Sequence, residues 1–252
     1  VGTVSIRRSL TRWRNLTRWR SVTSWRSRRK ARRLAAARAT ATAPALRLPA
    51  FAAAGSAAGE LMDCGGRAIA ETDFVIVDLE TTGWTPGEAG ITEIGAVRFS
   101  GGQVTGEFCA LINPGHPIPA EIAALTGISD AMVAQAPGIA AVLPGFLAFA
   151  GSSVLTAHNA PFDLGFLMAA CGDCGLSWPD FPVLDTVTLA RQLLGETEVP
   201  DCKLATLATY FGSPTAPSHR ALADARATAA VLHGLIGRLT ASGVRTLAEI
   251  AG

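Results

Sequence analysis

The chain has 252 residues, 49% of them hydrophobic and 17% charged, which is enough for one buried core plus an appendage. Its formal charge of +2 conceals two different materials: 14 of the 22 Lys and Arg lie between Arg7 and Arg47, no acid precedes Glu60, and from position 48 onward eight basic residues face all 20 acidic ones, a net of −12. A disulfide scaffold is excluded by five scattered cysteines, and a membrane-spanning helix by the lack of any run of about 18 apolar residues.

Residues 1–70 read as a disordered basic extension. Thr11-Arg-Trp-Arg-Asn-Leu, Thr17-Arg-Trp-Arg-Ser-Val and Thr23-Ser-Trp-Arg-Ser-Arg repeat every six residues, a period that fits neither a helix face nor a strand face. Three origins fit: an Arg/Trp arm for nucleic acid, an organelle transit peptide, or an over-extended reading frame upstream of Met62. A folded domain is expected over residues 71–240, with a short tail at 241–252. Phe74 to Glu80 is an apolar, β-branched run ending at Thr81-Thr82-Gly83, a buried strand entering a turn. Ile91–Phe99 and Val104–Ile112 flank Gly101-Gly102 and form a hairpin. Helices follow at Ala120–Leu125, Ser129–Gln135 and Ile139–Phe149, then a strand at Ser153–Ala157. Asn159 caps the next helix, with Pro161 in its first turn. Val183-Leu184 begins a last short strand, and helices occupy Thr186–Leu194, Lys203–Tyr210 and Ala221–Leu239. A strand meander that later alternates with helices gives an α/β class, a mixed sheet with helices on both faces.

Asp78 and Glu80 are two apart in the first strand, so both carboxylates lie on one face near its carboxyl end. Two adjacent carboxylates in an apolar strand repel unless a cation sits between them, an arrangement suited to hard divalent metals. Asp-x-Glu alone also fits a solvated strand end. In His158-Asn-Ala-Pro-Phe-Asp163, Asp163 falls in the first turn of a helix, where the dipole alone would explain a carboxylate. In His219-Arg-Ala-Leu-Ala-Asp224, a His precedes a long Ala-rich helix with an acid one turn inside it; either residue alone reads as an exposed polar group. Cys171 and Cys174 form a C-x-x-C without a second pair, which reads as packed thiols. Cys109, Cys202, Tyr210 and Trp178 read as packing residues, His116 as a loop residue and His233 as a helix-surface one.

The segments FVIVDLETTG, TEIGAV, INPGHPIP, LTGISDAMV, LTAHNAPFDLGFL, LDTVTLAR and HRALADARATAAVL, taken in this order over roughly residues 72–235, resemble the DEDD exonuclease superfamily in its His-containing branch. They are closest to the proofreading epsilon type of bacterial replicative polymerases. The resemblance implies a ribonuclease-H-like mixed five-stranded sheet flanked by helices. It implies that Asp78, Glu80, Asp163 and Asp224 organise two Mg²⁺ or Mn²⁺ ions, with His219 as general base. It further implies that Thr81, Thr82 and Gly83 lie against the terminal nucleotide, while His158, Asn159 and Phe162 hold the substrate strand.

The implied activity is 3′-to-5′ hydrolysis of DNA that releases nucleoside monophosphates, in proofreading or repair. The implied substrate is a single-stranded or frayed 3′ end, the partner a DNA polymerase or sliding clamp, and the location the cytoplasm, with no membrane involved. The acidic main body agrees with a short grip on a strand end rather than on a long duplex. Two alternatives remain at this level: a 3′-to-5′ exoribonuclease or oligonucleotide-trimming enzyme, which would use the same five side chains, and an inert nucleic-acid-binding module.

Overall fold

A computed structural model describes residues 67–195 and 197–251. The hexapeptide repeat and nearly all of the expected basic extension lie outside these residues. A 3₁₀ turn at Ile69–Glu71 leads into β1 (Phe74–Thr81), β2 (Ile91–Ser100) and β3 (Gln103–Leu111). Helices α1 (Ala120–Thr126), α2 (Asp130–Val133) and α3 (Ile139–Ala150) precede β4 (Val154–Ala157). Then come α4 (Ala160–Asp173), β5 (Val183–Asp185), α5 (Thr186–Leu193), α6 (Leu204–Tyr210), α7 (Ala221–Ala241) and α8 (Leu247–Ala251).

The five strands form one mixed sheet in the order β3-β2-β1-β4-β5. The first three pair antiparallel, and β4 and β5 join in parallel. Gly101 and Gly102 make the two-residue β2–β3 turn with φ of +58° and +82°, the left-handed pair that a tight hairpin needs. Alternation along β1 divides the core. Phe74 and Ile76 face α7, packing with Leu232 and Leu235, whereas Val75, Val77 and Leu79 face α3 and α4, packing with Leu143, Phe146 and Leu167. Because both faces of β1 are covered, Asp78 and Glu80 are the only charged interruptions of an otherwise apolar central strand.

Several local expectations need correcting. Asn159 occupies the residue before α4 but makes no side-chain cap; its φ is +75°. The cap comes instead from Asp185, whose Oδ1 accepts from the N–H groups of Asn159 (3.0 Å), Ala160 (3.4 Å) and Val187 (3.1 Å), so one carboxylate terminates two helices. Cys109 is exposed on edge strand β3, and Tyr210 is exposed with its ring against Phe211 and the Arg238 guanidinium, so neither is a core residue. Trp178 is half-buried and packs edge-on to Phe181. The chain after α7 folds back: Leu247 and Ile250 are buried on the α7 side of the core, and Ile69 N–H donates to Arg245 C=O at 2.9 Å. Among the described residues no helix is long and apolar enough to cross a membrane.

Candidate active site

Three elements deliver four carboxylates to the carboxyl end of β1. Asp78 and Glu80 come from the strand itself, Asp163 from the first turn of α4, and Asp224 from the first turn of α7. Asp163 is fixed to the strand because its Oδ1 accepts from Leu79 N–H at 3.0 Å. Asp224 Oδ1 accepts from Ser218 N–H at 2.8 Å, drawing the loop before α7 over the site. All four acids and His219 line one cleft of about 180 Å³. Glu80, Asp163 and Asp224 are buried, Asp78 is half-buried, and His219 is exposed.

The acids strain against one another. Burial, followed by the charges of Asp163, Asp224 and Glu80, raises the Asp78 carboxyl well above its ordinary range. Glu80 is pushed up to about 8 by burial, then by Asp224 and Glu93, against the opposing pull of Arg220. Burial lifts Asp163 to about 8, with Glu80 and Asp185 adding to it and the Leu79 N–H opposing. Asp224 is raised by burial, opposed by the Ser218 N–H and by His219. Such a cluster holds protons near neutrality unless a cation replaces them. Glu80, His219 and Asp224 offer ligand atoms all within 4.8 Å of one another, a group able to hold a divalent metal.

The residues expected to contact substrate divide into two sets. Thr81, Gly83, His158 and Phe162 line the cleft; Thr82 and Asn159 do not. The Thr82 hydroxyl accepts from Gly90 N–H at 2.9 Å, and its own N–H donates to Gly90 C=O at 2.8 Å, so both serve the β1–β2 connection. Thr81 Oγ1 donates to Gly83 C=O at 2.6 Å, shaping the same turn. His158 uses both ring nitrogens within the protein: Nδ1 lies 2.9 Å from Thr186 Oγ1 and Nε2 lies 3.0 Å from Cys202 C=O. The carbonyl can only accept, so Nε2 carries the proton. Burial lowers the His158 pKa and favours the neutral ring, whose Nδ1 shares the single Thr186 hydroxyl hydrogen with Ala157 C=O, 3.2 Å from that hydroxyl.

Sequence reasoning missed three features. Trp84 stands 72% exposed at the lip of the cleft, its ring 6.2 Å from that of Phe162, which packs in turn against Phe166 at 5.0 Å. A Trp directly after the Thr-Thr-Gly turn was a readable signal. Ile122, Leu125 and Thr126 of α1 form part of the cleft wall. They come from a separate segment and carry no local sign of it. Glu93, buried in β2, receives the Arg220 guanidinium at 2.7 Å; an acid within the apolar run Ile91–Phe99 was the signal.

A protein-family model described as "Exonuclease" matches residues 75–232. A putative bifunctional exonuclease/endonuclease protein of Mycobacterium tuberculosis (strain CDC 1551 / Oshkosh) is 56% identical over 187 residues, 71% of this chain and 29% of that protein. The PolC-type DNA polymerase III of Caldanaerobacter subterraneus subsp. tengcongensis is 40% identical over 180 residues, again 71% of this chain but 13% of the polymerase. The chain thus spans less than a third of the length of either curated relative. Among solved structures, exonuclease X in complex with 5′-overhanging duplex DNA has 30% identity and a TM-score of 0.54, covering 71% of this chain and 99% of that one. With a family model spanning β1 to α7, and the motif order and sheet topology in agreement, the chain belongs to the exonuclease family, in the DEDD superfamily of 3′-to-5′ exonucleases.

Proposed function

We propose that this domain removes nucleotides from the 3′ end of single-stranded or frayed DNA, releasing nucleoside monophosphates. The observation that carries the proposal is the convergence of Asp78, Glu80, Asp163 and Asp224 in one cleft with His219 exposed at its edge. DNA is favoured over RNA by the 30% likeness to exonuclease X, solved with duplex DNA, and by the 40% likeness to a PolC-type DNA polymerase III. The latter also supports coupling to a polymerase or its clamp, and with it a cytoplasmic, proofreading or repair setting.

In this proposal Asp78, Glu80, Asp163 and Asp224 hold two Mg²⁺ or Mn²⁺ ions, and the all-oxygen, mutually repelling donor set fits hard divalent cations. When bound, the cations supply charge neutralisation of the phosphodiester and Lewis-acid activation of water. His219 has no hydrogen-bond partner among the described residues to compete for its ring, and it takes the proton of the attacking water. Gly83 lines the cleft where the terminal nucleotide would lie, and Phe162 and Trp84 offer aromatic faces to unstacked bases.

The test is product analysis on 5′-labelled single-stranded DNA and RNA of one sequence, with Mg²⁺ or Mn²⁺ and with Asp78→Ala as control. A ladder shortening from the 3′ end on DNA, abolished by EDTA and by the substitution, is expected. Faster trimming of RNA would transfer the assignment to RNA processing, and cleavage of neither strand would overturn it.

A further inference from the structure

His219 sits between two backbone N–H groups that are each held by a carboxylate. On one side Ser218 N–H donates to Asp224 Oδ1 at 2.8 Å; on the other Ala221 N–H donates to Glu93 Oε2 at 2.9 Å. Glu93 also takes both arms of the neighbouring Arg220 guanidinium, Nε at 3.1 Å and Nη2 at 2.7 Å. Its side chain is only 2% exposed, and among the described residues, apart from a weak approach by Cys109 Sγ at 3.9 Å, these contacts to the two residues after His219 are its hydrogen bonds. His219 itself has φ of +55°, a left-handed conformation uncommon for a residue with a β-carbon.

The strand is built to receive this loop. Glu93 pairs with Glu80 across β1–β2, and Gly95, two residues on, pairs with Asp78. A β-carbon at Gly95 would lie 2.1 Å from Leu222 N and 2.2 Å from Ala221 C, so the start of α7 rests directly on the β2 backbone at the level of Asp78. Glu93 then hooks the loop at the level of Glu80. The same two strand positions that face the first pair of acids therefore carry the anchor for the second half of the site.

We infer that Glu93, acting with Arg220, is a positioning residue for the reaction: it holds loop 218–221 so that His219 and Asp224 remain against Glu80. This rests on the proposed role of His219 as base. An ion pair serving stability alone could join any two elements; this one directs every strong bond to the residues that set the backbone of His219.

Two measurements test it. In Glu93→Gln the side chain keeps its shape and can still accept from Ala221 N–H, but the charge that holds Arg220 is gone. The folded variant is expected to lose about 10- to 100-fold in kcat with KM changed less than about threefold. Introduced into His219→Ala, the same substitution should cost several-fold less than in the wild-type background, the remaining loss acting through Asp224. A kcat within about twofold of wild type, or an equal penalty in both backgrounds, would overturn the inference. The second measurement does not use activity: amide exchange at Ala221 and the three-bond backbone coupling of His219 should both change in Glu93→Gln and in Arg220→Ala. If neither changes, Glu93 does not set the loop. A wild-type protein that cleaves no strand in Mg²⁺ or Mn²⁺ would instead sink the assigned activity, and the spectroscopic arm would then decide alone.

Discussion

Two side chains at the cleft permit opposite kinetic predictions. As the proposed general base, His219 would contribute a step worth typically ~10²- to 10⁴-fold, so His219→Ala should lose that much in kcat and still degrade DNA detectably in single-turnover assays. Complete loss, equal to that of Asp78→Ala, would place His219 among the indispensable metal-organising groups instead. Trp84 is proposed to contribute binding. Its ring is largely exposed beside Phe162, and stacking one base is worth about 1–3 kcal/mol, so Trp84→Ala should raise KM for single-stranded DNA about 5- to 100-fold while Trp84→Phe keeps most of the affinity. An unchanged KM in the alanine variant would show that the lip does not touch the strand. The place of His219 in the cleft was legible through the family resemblance of the segment HRALADARATAAVL; the lip was not, because α1 and the β1–β2 turn meet only in three dimensions.

At the scale of elements, the site depends on how closely α7 approaches the sheet. Gly95 permits that approach, and Gly95→Ala drives a methyl into the Ala221 and Leu222 backbone, which cannot rotate away as a side chain could. A loss of at least about 1–3 kcal/mol in unfolding free energy is expected from the denaturant midpoint, with activity falling further than stability because Asp224 and His219 move with the helix start. A variant of wild-type stability and activity would mean that α7 shifts without consequence. The extent of the elements was largely readable: the β1, hairpin and α7 boundaries lie within a few residues of those that alternation and turn chemistry dictate. The helix cap was not. Asn159 has the right residue type and place, but Asp185, 26 residues later, takes the N–H groups because β5 lies beside β4.

For the molecule as a whole, four crowded carboxylates make stability depend on pH and cation together. Asp78, Glu80, Asp163 and Asp224 all have folded-state pKa values raised above those of the unfolded chain. Between the unfolded value near ~4 and the value of about 8 to which Glu80 and Asp163 are raised, the folded state binds more protons, so stability of the cation-free protein falls as pH rises through that window. The melting temperature in EDTA should therefore drop from pH 5 to pH 8. Added Mn²⁺ should raise it more at pH 8 than at pH 6, because at the higher pH fewer protons must be displaced. A melting temperature in EDTA that stays level across this range, or a Mn²⁺ effect larger at pH 6, would contradict the charge crowding described. Glu80→Gln should flatten the EDTA profile.

What the sequence by itself determined is the fold class and the family. Period-two alternation with β-branched residues specifies β1, Gly-Gly specifies the hairpin, and five polar residues at strand ends and helix starts, in a fixed order, identify the family. These are local signals, written within a few neighbouring residues. The tertiary structure alone decided which of those residues meet, and what holds them. Thr82 and His158 spend their polar atoms on the protein itself, Trp84 and Leu125 come to one lip, and Glu93 reaches 127 residues along the chain to anchor Arg220 beside His219. Such contacts depend on strand register and on the distance between helix and sheet, and both are settled by packing the whole core rather than by any segment of it.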